Sequence, residues 1–207
     1  MLMFLIEVPG TPIGGEDARE NAWVDRIVEE NDLSEVTLRF RLETGRNVDL
    51  DNLVRPAMRA LSKLGYYRKG FPELRSLSAT KEFDESSGLT IESGSLPSPS
   101  LSLLEIQYDS LPPSDKTQDW LAAWSNTVEC SWNRKPLIQP VWIAITARTS
   151  RSPVGLLKPI IDGLEPLLGR DPIGSSRFYP NDDLVHWLRI NRADSGPILQ
   201  MAAGIIE

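Results

Sequence analysis

From Val36 to Leu42 the chain alternates: Val36, Leu38, Phe40 and Leu42 are apolar, while Thr37, Arg39 and Arg41 between them are polar or basic. A period of two predicts a strand over 35–43 with one buried face and one polar, basic face. "VWIAITA" (141–147) is apolar at nearly every position, which predicts a strand over 139–147 buried on both faces. "LVRPAMRALSKL" (53–64) and "LLKPIIDGLEPLL" (156–168) carry apolar residues at helical spacing and predict helices over 52–65 and 155–168. Shorter strands are expected over 2–8 and 103–109, and helices over 16–31 and 116–128. "LSATKEFDESSGLTIE" (77–92) and "LRINRADSGPILQMAA" (188–203) read as strand, tight turn, strand, with "SSG" and "DSG" as the turns. They predict closing hairpins over 74–92 and 184–205. The opening "MLMFLI" meets Glu7 and Pro9 at once with no small-residue cleavage site, so it is read as the first strand and not as a secretory leader.

These elements repeat. At an offset of 103, Leu53, Pro56 and Leu61 fall on Leu156, Pro159 and Leu164, and Arg55 falls on Lys158. "LRFRL" (38–42) falls on "VWIAI" (141–145), and "VP" (8–9) on "LP" (111–112). Several features in one order at nearly one offset predict two copies of a small α+β unit. The units span 1–95 and 103–207, joined by a linker rich in Ser and Pro over 96–102. One unit is small for a stable core, so the two are expected to pack together.

Composition narrows the chemistry. The chain has 207 residues, 41% hydrophobic and 25% charged, which is ordinary for a soluble protein. No apolar run is long enough to cross a bilayer. A single cysteine, Cys130, permits no internal disulfide and suits a reducing cytoplasm. One His and one Cys exclude a zinc site of the usual ligands, so any metal is a hard cation held by carboxylates, Mg²⁺ or Mn²⁺. The net charge of −7 argues against a broadly basic nucleic-acid surface. Arg39, Arg41, Arg46, Arg148 and Arg151 would make a modest local cationic strip, although solvated surface charge is the better account of them.

Asp49, Asp51 and Asn52 stand at the mouth of the helix expected over 52–65. Asn52 is a suitable N-cap, and Pro56 would then close the first turn. The two acids either complement the helix dipole, worth a few tenths to about 1 kcal/mol each, or hold a hard divalent cation. The whole stretch, "RNVDLDNLVRPAMRALSKLGYY" (46–67), resembles the signature of the RusA family of Holliday junction resolvases: Asp-x-Asp-Asn, a basic residue, an amphipathic helix and a later Asp-Asp pair. "GLLKPIIDGLEPLLG" (155–169) and "FYPNDDLVHWLRINR" (178–192) resemble the rest of it. The resemblance implies a RusA-like fold in each half, fused as an intramolecular pseudo-dimer. It also implies an endodeoxyribonuclease of DNA recombination and repair acting on branched DNA, with Mg²⁺ or Mn²⁺ on the acids of a single unit.

Each copy departs from that signature in a different place. The first has Asp49, Asp51, Asn52 and Arg55, but "GYYRKGFPEL", with Arg68 and Lys69, stands where the trailing acids belong. The second has Lys158, Asp182 and Asp183, but "SPVG" (152–155) replaces Asp-x-Asp-Asn. On these departures the expected function is a RusA-like protein with degraded or absent catalysis. The alternative is an active enzyme whose composite site is shared between the units. There Asp49, Asp51 and Asp182 would hold the metal, with Asp183 beside them, and Lys158 or Arg55 would stabilise phosphate charge. A fused pseudo-dimer is expected to run as a monomer. Outside the signature, His186 reads as a structural histidine, Trp120 and Trp124 as packing between the units, and Cys130 as a small core residue.

Overall fold

The computed structural model describes residues 5–10, 18, 20, 21, 23, 34–44, 48–64, 67, 71, 73–99, 101–115, 117–172 and 178–206. The first half contributes β1 (Leu5–Pro9), β2 (Glu35–Glu43), α1 (Leu50–Lys63), β3 (Ser76–Asp84) and β4 (Gly88–Ser93). The second contributes β5 (Leu104–Tyr108), α2 (Thr117–Ser131), β6 (Val141–Arg148), α3 (Val154–Asp162) and α4 (Glu165–Leu168). A 3-10 turn (Asp182–Leu184), β7 (Val185–Ala193) and β8 (Leu199–Ile205) complete it. Of the helix expected over 16–31, Ala18, Glu20, Asn21 and Trp23 are described and helical; the rest lies outside the described residues, as do Arg46, Arg68 and Lys69.

The protein is α+β, with all eight strands in one mixed sheet ordered β1-β4-β2-β3-β7-β6-β8-β5. Read inward from either edge, the order is first strand, fourth, second, third. The pairing senses match as well: β2 is parallel to β3 and antiparallel to β4, and β6 is parallel to β7 and antiparallel to β8. The halves meet at the centre, where β3 runs antiparallel to β7 with Ala79 opposite Leu188.

The predicted closing hairpins are not hairpins. β3 and β4 flank β2 on opposite sides, and β7 and β8 flank β6. Two strand spacings are only about 10 Å, within reach of the short Glu85–Ser87 link. That link is pinned across the end of β2, where the Glu43 backbone N–H donates to Ser87 Oγ at 3.1 Å. Gly88 then opens β4 opposite Arg41. Proximity along the chain suggested a hairpin, but the apolar β2 is better buried between two neighbours than at an edge.

Burial follows the predicted alternation in β2: Val36, Leu38, Phe40 and Leu42 are buried and Arg39 and Arg41 are half-buried. Thr37 is also buried, its hydroxyl donating to the Gly94 carbonyl at 2.8 Å. β6 repeats the same pattern with Val141, Ile143, Ile145 and Ala147 inside, while Ala144 and Thr146 are half-buried, so it is not covered on both faces throughout. The helix expected over 155–168 is broken into α3 and α4 around Gly163, where a Cβ would collide with the Trp124 ring.

Other expectations change with packing. Trp120 and Trp124 stack on each other at 5.9 Å, and Trp124 also meets Tyr108 and donates from Nε1 to the Ile160 carbonyl at 2.9 Å. These contacts lie within the second half of the chain, so the pair fixes α2 there and does not join the two halves. Cys130 is exposed, not core, because its side of α2 is turned from the sheet. His186 packs edge-on against Phe83 at 5.7 Å, and burial lowers its pKa. The link over 95–99 and 101–102 carries no helix or strand. It crosses the sheet centre, tied by the Leu96 N–H to Ser78 Oγ at 3.1 Å and by Arg189 Nη1 to the Leu96 carbonyl at 3.0 Å.

Candidate metal centre

Asp49 and not Asn52 is the N-cap of α1, and the helix starts at Leu50. Asn52 sits in the first turn and donates its Nδ2 to Asp49 Oδ2 at 2.7 Å. Pro56 therefore falls in the second turn and removes one helical hydrogen bond. The Asp49 carboxylate makes no capping bond to a helix N–H and is held instead by Asn52.

The second acidic segment arrives from the other half. Backbone bonds from Asn181 N–H to the Gly169 carbonyl (2.9 Å) and from Asp171 N–H to the Tyr179 carbonyl (3.0 Å) clip 178–183 to the end of α4. Gly169 turns there at φ 74, a conformation that favours glycine. The 3-10 turn after Asn181 then presents Asp182 and Asp183 just before β7.

Because β3 and β7 are neighbours and α1 packs over both, the two segments meet. Asp49, Asp51 and Asp182 each bring one carboxylate oxygen within 4.8 Å of the others. They are the one such group of His, Cys, Asp and Glu side chains among the described residues. Acids from the first and second halves of the chain are thus brought together, in the arrangement the composite alternative requires. Asp51 is almost fully buried, and its Oδ1 has no hydrogen-bond partner.

Cations complete the cluster. Lys158 Nζ lies 3.7 Å from Asp51 Oδ2 and 3.1 Å from Asp162 Oδ1. Arg55, at the matching position of α1, is exposed and is not among the described residues lining the cleft. Lys81 and Asp162 complete the cluster's charge and were not singled out from sequence. The signal for Lys81 was its phase: it shares a strand face with the buried Leu77 and Ala79, where an apolar residue is expected. Its side chain is fully buried and donates to the Asp183 carbonyl (2.9 Å) and the Val48 carbonyl (3.4 Å), tying the loop before α1 to the acidic turn. Asp162 was legible as the i+4 partner of Lys158.

Asp49, Lys158, Asp162 and Asp182 line a cleft of about 260 Å³, walled also by Asn52, Leu121, Phe178 and Tyr179. Packing carboxylates into it raises their pKa values. Burial, then the charges of Asp49 and Asp51, push Asp182 up to about 8. Burial and a hydrogen bond with Asp49 push Asp183 up to about 6. Burial also raises Asp51 and Asp162 against the opposing pull of Lys158. For Lys158, burial is outweighed by Asp51 and Asp162, and its pKa rises. Burial lowers Lys81 against the pull of Asp183. Carboxylates held this close repel one another, and a multivalent cation relieves that repulsion.

The donor set fits a hard divalent ion. It offers carboxylate oxygens, a buried orphan oxygen on Asp51, and a cleft with room for water to fill further positions. No protein-family model and no curated protein sequence matches the chain. No helix among the described residues is long and apolar enough to cross a membrane.

Proposed function

We propose that the chain is a single-chain relative of the RusA resolvases, two units fused as a pseudo-dimer, and that it cleaves branched DNA with Mg²⁺ or Mn²⁺ at one composite site. The observation that carries this reading is the convergence of Asp49 and Asp51 from one half with Asp182 from the other, around the unpartnered Asp51 Oδ1. The matching strand orders of the halves support the fusion, and the signature residues support the substrate class.

Asp49, Asp51 and Asp182 would hold the cation, with Asp183 behind them. A divalent cation there supplies charge neutralisation of the phosphate and a more acidic bound water. Lys158, nearly half exposed, can exchange Asp162 for a phosphate oxygen and so place the backbone against the acids. Lys81 keeps Val48 and Asp183 at fixed separation, which holds the two acidic segments in register. In the hydrolysis one backbone P–O bond breaks as a bond forms from phosphorus to the oxygen of water. One water proton ends on the leaving oxygen and the other leaves with the new phosphomonoester.

A second reading, a junction-binding protein without catalysis, is favoured by Lys158 and Lys81, which already offset part of the acid charge. Incubating a synthetic four-way junction with Mg²⁺ or Mn²⁺, for the wild type, Asp49→Asn and Asp182→Asn, separates them. Cutting by the wild type that is lost in both variants is the expected result. Intact junction throughout, with shifted mobility on a gel, would establish the second reading.

A further inference from the structure

We infer that the chain has one working cation site and one sealed mate, so that it cuts a single strand of branched DNA per encounter. This rests on the nuclease reading above and goes beyond it. The burial patterns set the correspondence between halves. Val36, Leu38, Phe40 and Leu42 match Val141, Ile143, Ile145 and Ala147, which shifts these strands by two residues from the offset of 103 read in the sequence. Leu53, Val54, Ala57 and Met58 match Leu156, Leu157, Ile160 and Ile161, all buried, with Pro56 on Pro159. Since Leu38 pairs with Ala79 and Ile143 with Leu188, Ala79 matches Leu188.

Each charged member of the site then has a counterpart across the sheet centre. Asp49 answers to Ser152 and Asp51 to Val154, which is 7% exposed. Counting along the central strands, and skipping His186 where β7 bulges against β6, Lys81 answers to Ile190 and Asp182 to Leu74, both fully buried. Asp183 answers to Arg75, which pairs with Asp194 at 2.9 Å, and Asp162 to Arg59, which pairs with Glu20 at 3.7 Å. None of these five acids has an acidic counterpart. Val154, Leu74 and Ile190 join the hydrophobic core, so charges on one side are replaced on the other by packed apolar side chains. A site needs the helix mouth of one unit and the acidic turn of the other. Losing acids at complementary places in the two copies therefore spares one site whole and closes its mate. This accounts for the otherwise odd distribution of broken motifs.

A homodimer with two equal sites can cut paired strands in one bound state, whereas this asymmetry allows one. The test uses the full chain with Mg²⁺ and a supercoiled plasmid extruding a cruciform, with excess unlabelled four-way junction added after binding. Nicked circles without linear product are expected, and linear product formed under the trap would overturn the inference. Failure of the nuclease reading is told apart by Mn²⁺ binding to the same protein. Binding abolished by Asp182→Asn and unchanged in Glu73→Gln, which changes the acid beside Leu74 in the sealed mate, supports the single site even if no DNA is cut. Mn²⁺ binding that survives Asp182→Asn and disappears in Glu73→Gln would overturn it.

Discussion

Lys158, on α3 of the second half, holds its ammonium 3.7 Å from Oδ2 of Asp51, on α1 of the first. The pair joins the halves at the cleft and sets a cation beside the most buried acid of the cluster. Replacing Lys158 with Met leaves Asp51 with neither the pair nor a hydrogen bond to Oδ1. In metal-free buffer the variant should lose about 1–3 kcal/mol of stability, the cost of a buried group left unsatisfied. Mn²⁺ should restore more of that loss than it adds to the wild type, as read by melting temperature with and without the ion.

The raised carboxylates fix a pH dependence. Asp182 and Asp183 have folded-state pKa values of about 8 and about 6, above the ordinary 3.8. The folded state therefore holds their protons more tightly than the unfolded chain. The associated stability is fully present below about pH 4 and is lost as pH rises through 6 and then 8. Melting in a chelator should show a lower transition temperature at pH 9 than at pH 5.5, and Asp182→Asn should flatten the difference.

Divalent binding should reverse that trend. An ion bound only to the folded state stabilises it by mass action, by about 2.7 kcal/mol at a hundredfold excess over Kd. At pH 8, Mg²⁺ or Mn²⁺ should raise the melting temperature of the wild type. Asp51→Asn or Asp182→Asn should weaken the ion at least about tenfold, measured by calorimetric titration, since losing about 1.4 kcal/mol of contact costs a factor of ten.

Lys81→Met keeps the volume and removes the donor to two backbone carbonyls. It should cost roughly 1–3 kcal/mol of stability, measured by urea unfolding. It should also weaken Mn²⁺ binding, although Lys81 is not a ligand, because the acidic turn is no longer tied to Val48.

Gly163→Ala tests the seam between α3 and α4. Its Cβ would meet the Trp124 ring, itself anchored to the Ile160 carbonyl. Overpacking of this kind costs about 1–3 kcal/mol, and the near-ultraviolet dichroism of the stacked Trp120 and Trp124 should change with it. In light scattering the wild type should run at the 23.1 kDa of one chain.

What the sequence determined by itself was whatever depends on neighbours along the chain. The alternation from Val36 to Leu42 set a strand and its inner face, and the spacing of Leu53, Val54, Ala57 and Leu61 set α1 and the side it buries. The recurrence of Pro56 and Leu61 at Pro159 and Leu164 was visible, as were Asp49, Asp51 and the Asp182–Asp183 pair as the acids to watch. The choice of Asp49 over Asn52 as cap was not legible, since both residue types serve. Tertiary structure alone decided that β3 and β4 straddle β2, because a short link permits either a hairpin or a crossing and burial of β2 selects the crossing. It alone decided that acids from different halves share one cleft, because that follows from β3 pairing with β7, and strand pairing between distant segments is selected by packing of whole faces. Lys81 belongs to the same class: its place inside the protein depends on the carbonyls of Val48 and Asp183, which are near it only once the sheet has formed.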